Sequence, residues 1–365
     1  MNTKKEQDGV QKTSSGIPIR NIWYMLLYAM KCSNLKDRWK SEVETAPNLN
    51  CLLISILIER ILERIRIGLG RDYNQVANEI YGIRGRIDFS KSVKLMSFPQ
   101  GCTFSRYQVY TNDVLKNQII KSTLYQMMLG GDFGTYKKLE QELKNKIHSI
   151  LQQLNNVKII ELKPAEIRRE QLKQKDMDCG LMLSLCYLLS MHLMPTEKEG
   201  GHFLTKIIKN NLTLYDVFEK FVAEFYKYHL VQWNVKPQSI FHWPAVGSSE
   251  FLPILKPDII LENRITKQII ILDTKFTKKS LVEGQWDKIT FNRDHLFQIY
   301  SYLKTQEDLS EFYAKSTGLL LYPTISDRVS HSIEVQGHKI IWESINLAQP
   351  WQQIEKDLIS IILKI

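Results

Sequence analysis

The chain has 365 residues, 44% of them hydrophobic and 24% charged, which excludes a wholly disordered or collagenous chain and leaves room for two domains with separate cores. Lysine and arginine exceed aspartate and glutamate by 49 − 39 = +10, which reads either as a polyanionic partner, nucleic acid first and an anionic membrane second, or equally as a merely basic surface. The longest apolar run, Cys51 to Ile58, stops at Glu59 and falls far short of the roughly 20 residues that span a bilayer, so no membrane-spanning segment is expected.

The polar start, MNTKKEQDGVQKTSSG, has no apolar core of a signal peptide, and residues 1–15 read as a disordered tail. Ile17 to Met30 is an apolar, aromatic segment of helical character. A helix from Asn50 to about Ile67 repeats Leu53, Ile54, Leu57, Ile58, Ile61, Leu62 and Ile65 on one face. From Ala77 to Val93, Gly82 and Gly85 interrupt the isoleucines, which suggests strands around a tight bend. Helices follow at Tyr107–Leu129 and Tyr136–Leu154, the second carrying a lysine face that is either solvated or turned to DNA. Leu181 to Met194 is an apolar helix, and Pro195 to Gly201 a loop.

Thr213 to Leu230 is an amphipathic helix, followed by irregular strands to Leu252. Asp258–Leu261 and Gln268–Phe276 read as two strands joined by a spacer of hairpin length. A helix at Asp294–Lys304 and a short buried strand, Gly318–Tyr322, ended by Pro323, come next. Ile333–Val335 and Ile340–Ile345 pair around Gly337, and Ile354–Ile365 is a closing helix. Helices alternating with strands imply an α+β or α/β core with a mixed sheet.

The sharpest chemistry lies in KPDIIL and ILDTKF. Strand side chains alternate, so Asp273 and Lys275 project to one side, and closing the hairpin brings Asp258 beside Asp273. Two carboxylates among isoleucines are expensive to bury without a counter-charge. A divalent cation supplies one: Mg²⁺ takes hard oxygen ligands, here Asp258, Asp273 and the Thr274 backbone carbonyl, and keeps several waters. It acidifies a bound water and stabilises charge on a phosphoryl oxygen, and Lys275 can orient that water or neutralise the charge. The alternative is a surface hairpin with an ordinary Asp–Lys ion pair.

Gln298 and Tyr302, four residues apart on one helix face, supply polar groups beside Leu296, Ile299 and Leu303. Gln-x-x-x-Tyr after an Asp-x-Lys strand resembles the RecB-type branch of the PD-(D/E)xK nucleases, where this pair helps to position the lysine and the DNA backbone. Glu219, on the helix before the sheet, stands where many such nucleases carry an extra acid, and reads equally as a solvated helix charge.

From about residue 17 onward the chain resembles the McrC family, the nuclease subunits of 5-methylcytosine-dependent McrBC restriction systems. The resemblance rests on IPIRNIWYMLLYAM, GIRGRIDFSKSV, YTNDVLKNQIIKSTL, KPDIIL, ILDTKF, QIYSYL and GLLLYP, in that order. It implies Mg²⁺-dependent cleavage of double-stranded DNA at Asp258, Asp273 and Lys275, in the cytoplasm, which the lack of any paired-cysteine motif also favours. It also implies a McrB-like AAA+ GTPase hexamer as partner, whose GTP hydrolysis the subunit stimulates, and allows a dimer of subunits to bridge two rings. The partner binds the GTP, since this chain has no G-x-x-x-x-G-K-[ST] loop. Arg84, Arg86 and Lys91 are candidates for the ring contact, against a basic hairpin with no partner.

The expected organisation is therefore an N-terminal mixed α/β partner-binding domain, residues 16–160, followed by a PD-(D/E)xK restriction-endonuclease-like mixed-sheet core, residues 161–365. The competing readings are a RecB-branch repair nuclease and a non-catalytic bridge that activates a GTPase. A zinc hydrolase is disfavoured, because the eight histidines show no paired metal spacing.

Overall fold

A computed structural model describes residues 16–130, 137–174, 176–193, 211–245, 251–276, 281–283, 289–326 and 328–365. The expected tail (1–15) and the loop after the apolar helix (195–201) lie outside the described residues. Among the described residues no helix is long and apolar enough to cross a membrane.

The chain packs as two units, one of residues 1–49 with 204–365 and one of residues 50–203, which differs from a single boundary near residue 160. The reason lies in the first helix, Ile19–Ala29, which buries nine of its residues. Tyr28 packs on Phe221, Phe225 and Trp351, and the Asn21 side-chain amide donates to the carbonyls of Leu347 and Gln349, 2.8 Å away in each case. The N-terminal segment is thus core to the unit formed by the end of the chain.

That unit holds a six-stranded mixed sheet. Its strands are β4 (Trp233–Pro237), β5 (Ile259–Asn263), β6 (Ile269–Thr274), β9 (Thr317–Thr324), β10 (Ser330–Val335) and β11 (His338–Asn346), in the order β10-β11-β9-β6-β5-β4. β6, β9 and β11 run parallel; the other pairs are antiparallel. β4, not resolved from the irregular pattern after Leu230, pairs with β5 at the edge. β7 (Leu281–Glu283) and β8 (Ile289–Phe291) form a separate hairpin. The helix Arg293–Gln306, capped by Asn292, is the crossover from β6 to β9 and packs Ile299 and Leu303 into the core with Ile271, Leu320 and Trp342. It lies so close to β9 that a Cβ at Gly318 would stand 2.7 Å from Ile299 Cγ1. β9 runs through Pro323 to Thr324, which sits in register with Asn346. The β10–β11 turn is Gln336-Gly337, both at positive φ, the backbone a two-residue hairpin needs.

The second unit opens with the helix Leu49–Ile67, whose first turns are buried all round rather than on one face, Cys51, Leu52 and Ile56 included. Its three-stranded antiparallel sheet has the order β1-β3-β2: β1 (Asp72–Tyr81), β2 (Arg86–Ile87) and β3 (Cys102–Thr111). Residues 107–111 are therefore strand, not the start of a helix: β3 pairs with β1 along its whole length, and the helix begins at Leu115. Between β2 and β3, Phe89–Lys94 is a helix capped by Asp88 where a strand was expected. The helices Leu115–Gly130, Lys137–Gln153, Pro164–Lys173 and Met177–Leu193 complete the unit.

Candidate active site

The β5–β6 register places the two carboxylates. Ile259 faces Leu272, so one further step along the antiparallel ladder sets Asp258 opposite Asp273. β6 lies inside the sheet between β5 and β9, and Asp273 is accordingly 1% exposed; Asp258, just outside β5, is 9% exposed.

The two acids are held differently. Asp258 Oδ2 accepts from the Thr274 backbone N–H at 2.7 Å, the Thr274 hydroxyl at 2.6 Å and the Tyr215 hydroxyl at 3.3 Å. Burial raises its pKa, and these bonds and the Lys275 charge oppose the rise. Asp273 has no such cradle: Lys275 Nζ stands 2.5 Å from Oδ2 as an ion pair, but neither carboxylate oxygen receives a well-angled hydrogen bond. Burial first and the Asp258 charge second push Asp273 up to about 7, against the pull of Lys275. The pair titrates as a unit.

Lys275 is fixed from the other side. Its ammonium donates to Gln298 Oε1 at 2.7 Å, Gln298 Nε2 donates to the Tyr302 hydroxyl at 2.7 Å, and that hydroxyl donates to the Lys256 carbonyl at 3.2 Å. The helical spacing of Gln298 and Tyr302 thus becomes a relay that ends two residues before Asp258. Glu219 is 8% exposed, so it is not a solvated helix charge; burial and then the Asp258 charge raise its pKa, while a 2.7 Å bond from Gln238 Nε2 opposes the rise.

The donor set suits a hard divalent cation. Two adjacent buried carboxylates face a single ammonium, Lys275, so the pair is short of positive charge, and oxygen ligands that leave room for water are what Mg²⁺ prefers. Among the described residues no three His, Cys, Asp or Glu side chains close into a cage, so the protein would provide only part of such an ion's shell.

Several neighbours escaped sequence reasoning. The Thr274 hydroxyl and Tyr215 clamp Asp258, and Gln238 holds Glu219. His295 Nδ1 and the Tyr322 hydroxyl share a hydrogen bond at 2.9 Å, and burial and the Lys275 charge lower the histidine's pKa. The only sequence signal was position: Thr274 lies inside the Asp-x-Lys motif, and His295 one turn before Gln298.

Arg84, Arg86 and Lys91 belong to the other unit. The Arg84 guanidinium lies 4.5 Å from the Tyr107 ring centroid and the Lys91 ammonium 4.6 Å from that of Phe104. Arg86 faces Arg106 across β2 and β3, and Arg106 pairs with Asp88 at 3.0 Å. Gly85 at φ +69° lets this edge close, since a Cβ there would stand 2.4 Å from the Arg106 carbonyl oxygen. Ile83 and Phe89 are exposed nearby, so the basic side chains share their surface with apolar ones.

The family model described as "McrBC 5-methylcytosine restriction system component" matches residues 3–323. An Escherichia coli K12 protein named "Type IV methyl-directed restriction enzyme EcoKMcrBC" is 28% identical over 351 residues, covering 94% of this chain and 97% of the relative. Among solved structures, the refined half-complex of the tetradecameric assembly of Thermococcus gammatolerans McrB AAA+ hexamers with bound McrC contains a chain of similar fold. The TM-score is 0.50 at 14% identity, over 94% of this chain and 76% of that one.

Proposed function

Because the chain belongs to the family of McrBC 5-methylcytosine restriction system components, we propose that it is the nuclease subunit of such a system. It hydrolyses phosphodiester bonds of double-stranded DNA with Mg²⁺, in a PD-(D/E)xK-type core, at Asp258, Asp273 and Lys275. The observation that carries this reading is the Asp258/Asp273 pair, two carboxylates buried opposite each other at adjacent strands with Lys275 as the ammonium against Asp273. A merely bridging subunit gives no reason to keep that charge in the sheet.

Each residue has a distinct task. Asp258, oriented by Thr274, and Asp273 would hold the cation, with the Thr274 carbonyl as a further oxygen. The bound cation supplies a water of lowered pKa and positive charge for the phosphoryl oxygens. Lys275, locked between Asp273 and Gln298, presents a fixed ammonium toward negative charge developing on the phosphate. Tyr302 keeps Gln298 from rotating away.

The partner we propose is a McrB-like AAA+ GTPase hexamer in the cytoplasm. It binds the GTP, its hydrolysis is stimulated through Arg84, Arg86 and Lys91, and two copies of this chain can bridge two rings. The deciding experiment measures methylated-plasmid cleavage and GTP turnover by the chain with that partner. Asp273→Ala should abolish cleavage and leave GTPase stimulation near the wild-type rate. Retained cleavage would sink the catalytic assignment, and lost stimulation in a folded variant would sink the separation of the two activities.

A further inference from the structure

We propose that Gln238 is a positioning residue for this hydrolysis: it holds the Glu219 carboxylate beside the Asp258/Asp273 pair, where it fixes the waters of the bound divalent cation. The role rests on the nuclease reading of the site. Gln238 follows directly on β4 and has φ +49°, a left-handed backbone that glycine or asparagine adopts far more readily than glutamine. Its main-chain N–H, which any residue but proline would supply, donates to the Asp258 carbonyl at 2.7 Å. The turn therefore needs the backbone of residue 238 but not a glutamine side chain. A sparsely populated conformation kept by an unsuited residue points to use of its side chain.

That side chain joins two charged groups. Nε2 donates to Glu219 Oε1 at 2.7 Å, and Oε1 accepts from Lys256 Nζ at 3.0 Å. A carboxylate only accepts and an ammonium only donates, so the two partners leave the amide one orientation. Both bonds are charge-assisted, the stronger class. Gln238 ties the Glu219 carboxylate to the backbone of Asp258, yet among the described residues Glu219 does not complete a three-carboxylate cage. It is thus placed to accept hydrogen bonds from waters that Mg²⁺ retains, rather than to bind the ion directly. Such outer partners typically contribute about 10–100-fold to metal affinity.

The test is Gln238→Gly in the full chain with its partner GTPase, beside Gln238→Asn and Asp273→Ala. Glycine suits the left-handed backbone and keeps the N–H bond to Asp258; asparagine also suits it but is one methylene too short to reach Glu219. Both should stay folded and melt within a few degrees of wild type, since relief of the backbone offsets the lost bond to Glu219. Both should need about 10–100-fold more Mg²⁺ for half-maximal cleavage, with a matching rightward shift of calorimetric Mg²⁺ binding to the chain alone. Wild-type Mg²⁺ dependence in both, in a series where Asp273→Ala is inactive, would overturn the role of Gln238 and leave the nuclease reading standing. Unfolding of both would make the side chain a requirement of the fold and equally overturn it. Full cleavage by Asp273→Ala would remove the nuclease reading, and the role of Gln238 with it.

Discussion

Asp273→Asn should stabilise the protein in the absence of divalent cations while destroying its cleavage activity. The substitution keeps the shape of the side chain and removes the charge. In the folded chain the acid is pushed from 3.8 up to about 7, so above neutral pH the folded state carries a carboxylate that the unfolded chain hydrates far better. At roughly 1.4 kcal/mol per pKa unit, a shift of about three units sets a ceiling of about 4 kcal/mol. The attraction of Lys275 is already contained in that shift. An amide needs hydrogen-bond partners of its own, which we take to halve the gain to about 2 kcal/mol. For a domain of roughly 150–250 residues that is a rise in Tm of about 4–8 °C.

The pH dependence fixes the cause. Between 3.8 and about 7 the folded chain binds the proton more tightly than the unfolded chain, so Asp273 lowers stability as pH rises through this window. The advantage of Asp273→Asn should be largest at pH 8, gone by about pH 5, where the remaining charge effect only matches the cost of the amide, and reversed below that. Saturating Mg²⁺ should raise the wild-type Tm at pH 8 and leave the variant unmoved. The measurement is thermal unfolding in chelator and in Mg²⁺ at each pH. A variant less stable than wild type at pH 8 in chelator would show that Asp273 is a structural ion-pair partner of Lys275, and the reasoning from an unmet carboxylate would fail.

Two further outcomes are expected. Thr274→Val is nearly isosteric and removes one of the donors to Asp258, so cleavage at pH 7 should fall about tenfold, the equivalent of one charge-assisted hydrogen bond of about 1.5 kcal/mol, with the sheet intact by circular dichroism; unchanged cleavage would make the hydroxyl incidental. Arg84→Glu and Arg86→Glu should reduce stimulation of the partner's GTP turnover at least tenfold and lose cleavage only in consequence, and normal GTP turnover with either would exclude that surface from the ring contact.

The parts of the fold visible in the sequence are those governed by local period. Gly337 announced the β10–β11 hairpin because a tight turn needs positive φ, and the helix Arg293–Gln306 followed from its apolar spacing. The division of the chain was hidden because its cause is not local. Asn21 bonds to Leu347 across 326 residues, and nothing in Ile17 to Met30 says which distant surface will cover it. β3 was misread over residues 107–111 because its outer half alternates between partly buried and exposed residues, a weak strand signal beside the strong helical pattern that begins at Leu115.

The candidate site divides the same way. Asp273 and Lys275 share a side by strand alternation, Asp258 joins them by the hairpin register, and Gln298 and Tyr302 by helical spacing. Each is a relation within one or two neighbouring elements. The groups that decide the electrostatics come from farther away: Tyr215 and Glu219 from the helix Asn211–His229, and Gln238 from the end of an edge strand. What unites the near and far residues is a cost. An apolar pair at 258 and 273 would pack among the isoleucines of β5 and β6 with no charge to desolvate. The protein instead gives one acid three donors and leaves the other with a single ion pair, an asymmetry that suits binding a cation more than holding a sheet together. On the proposed reading Asp258, oriented by three donors, would be the fixed anchor, while Asp273, held only by Lys275, would gain most from an arriving positive charge.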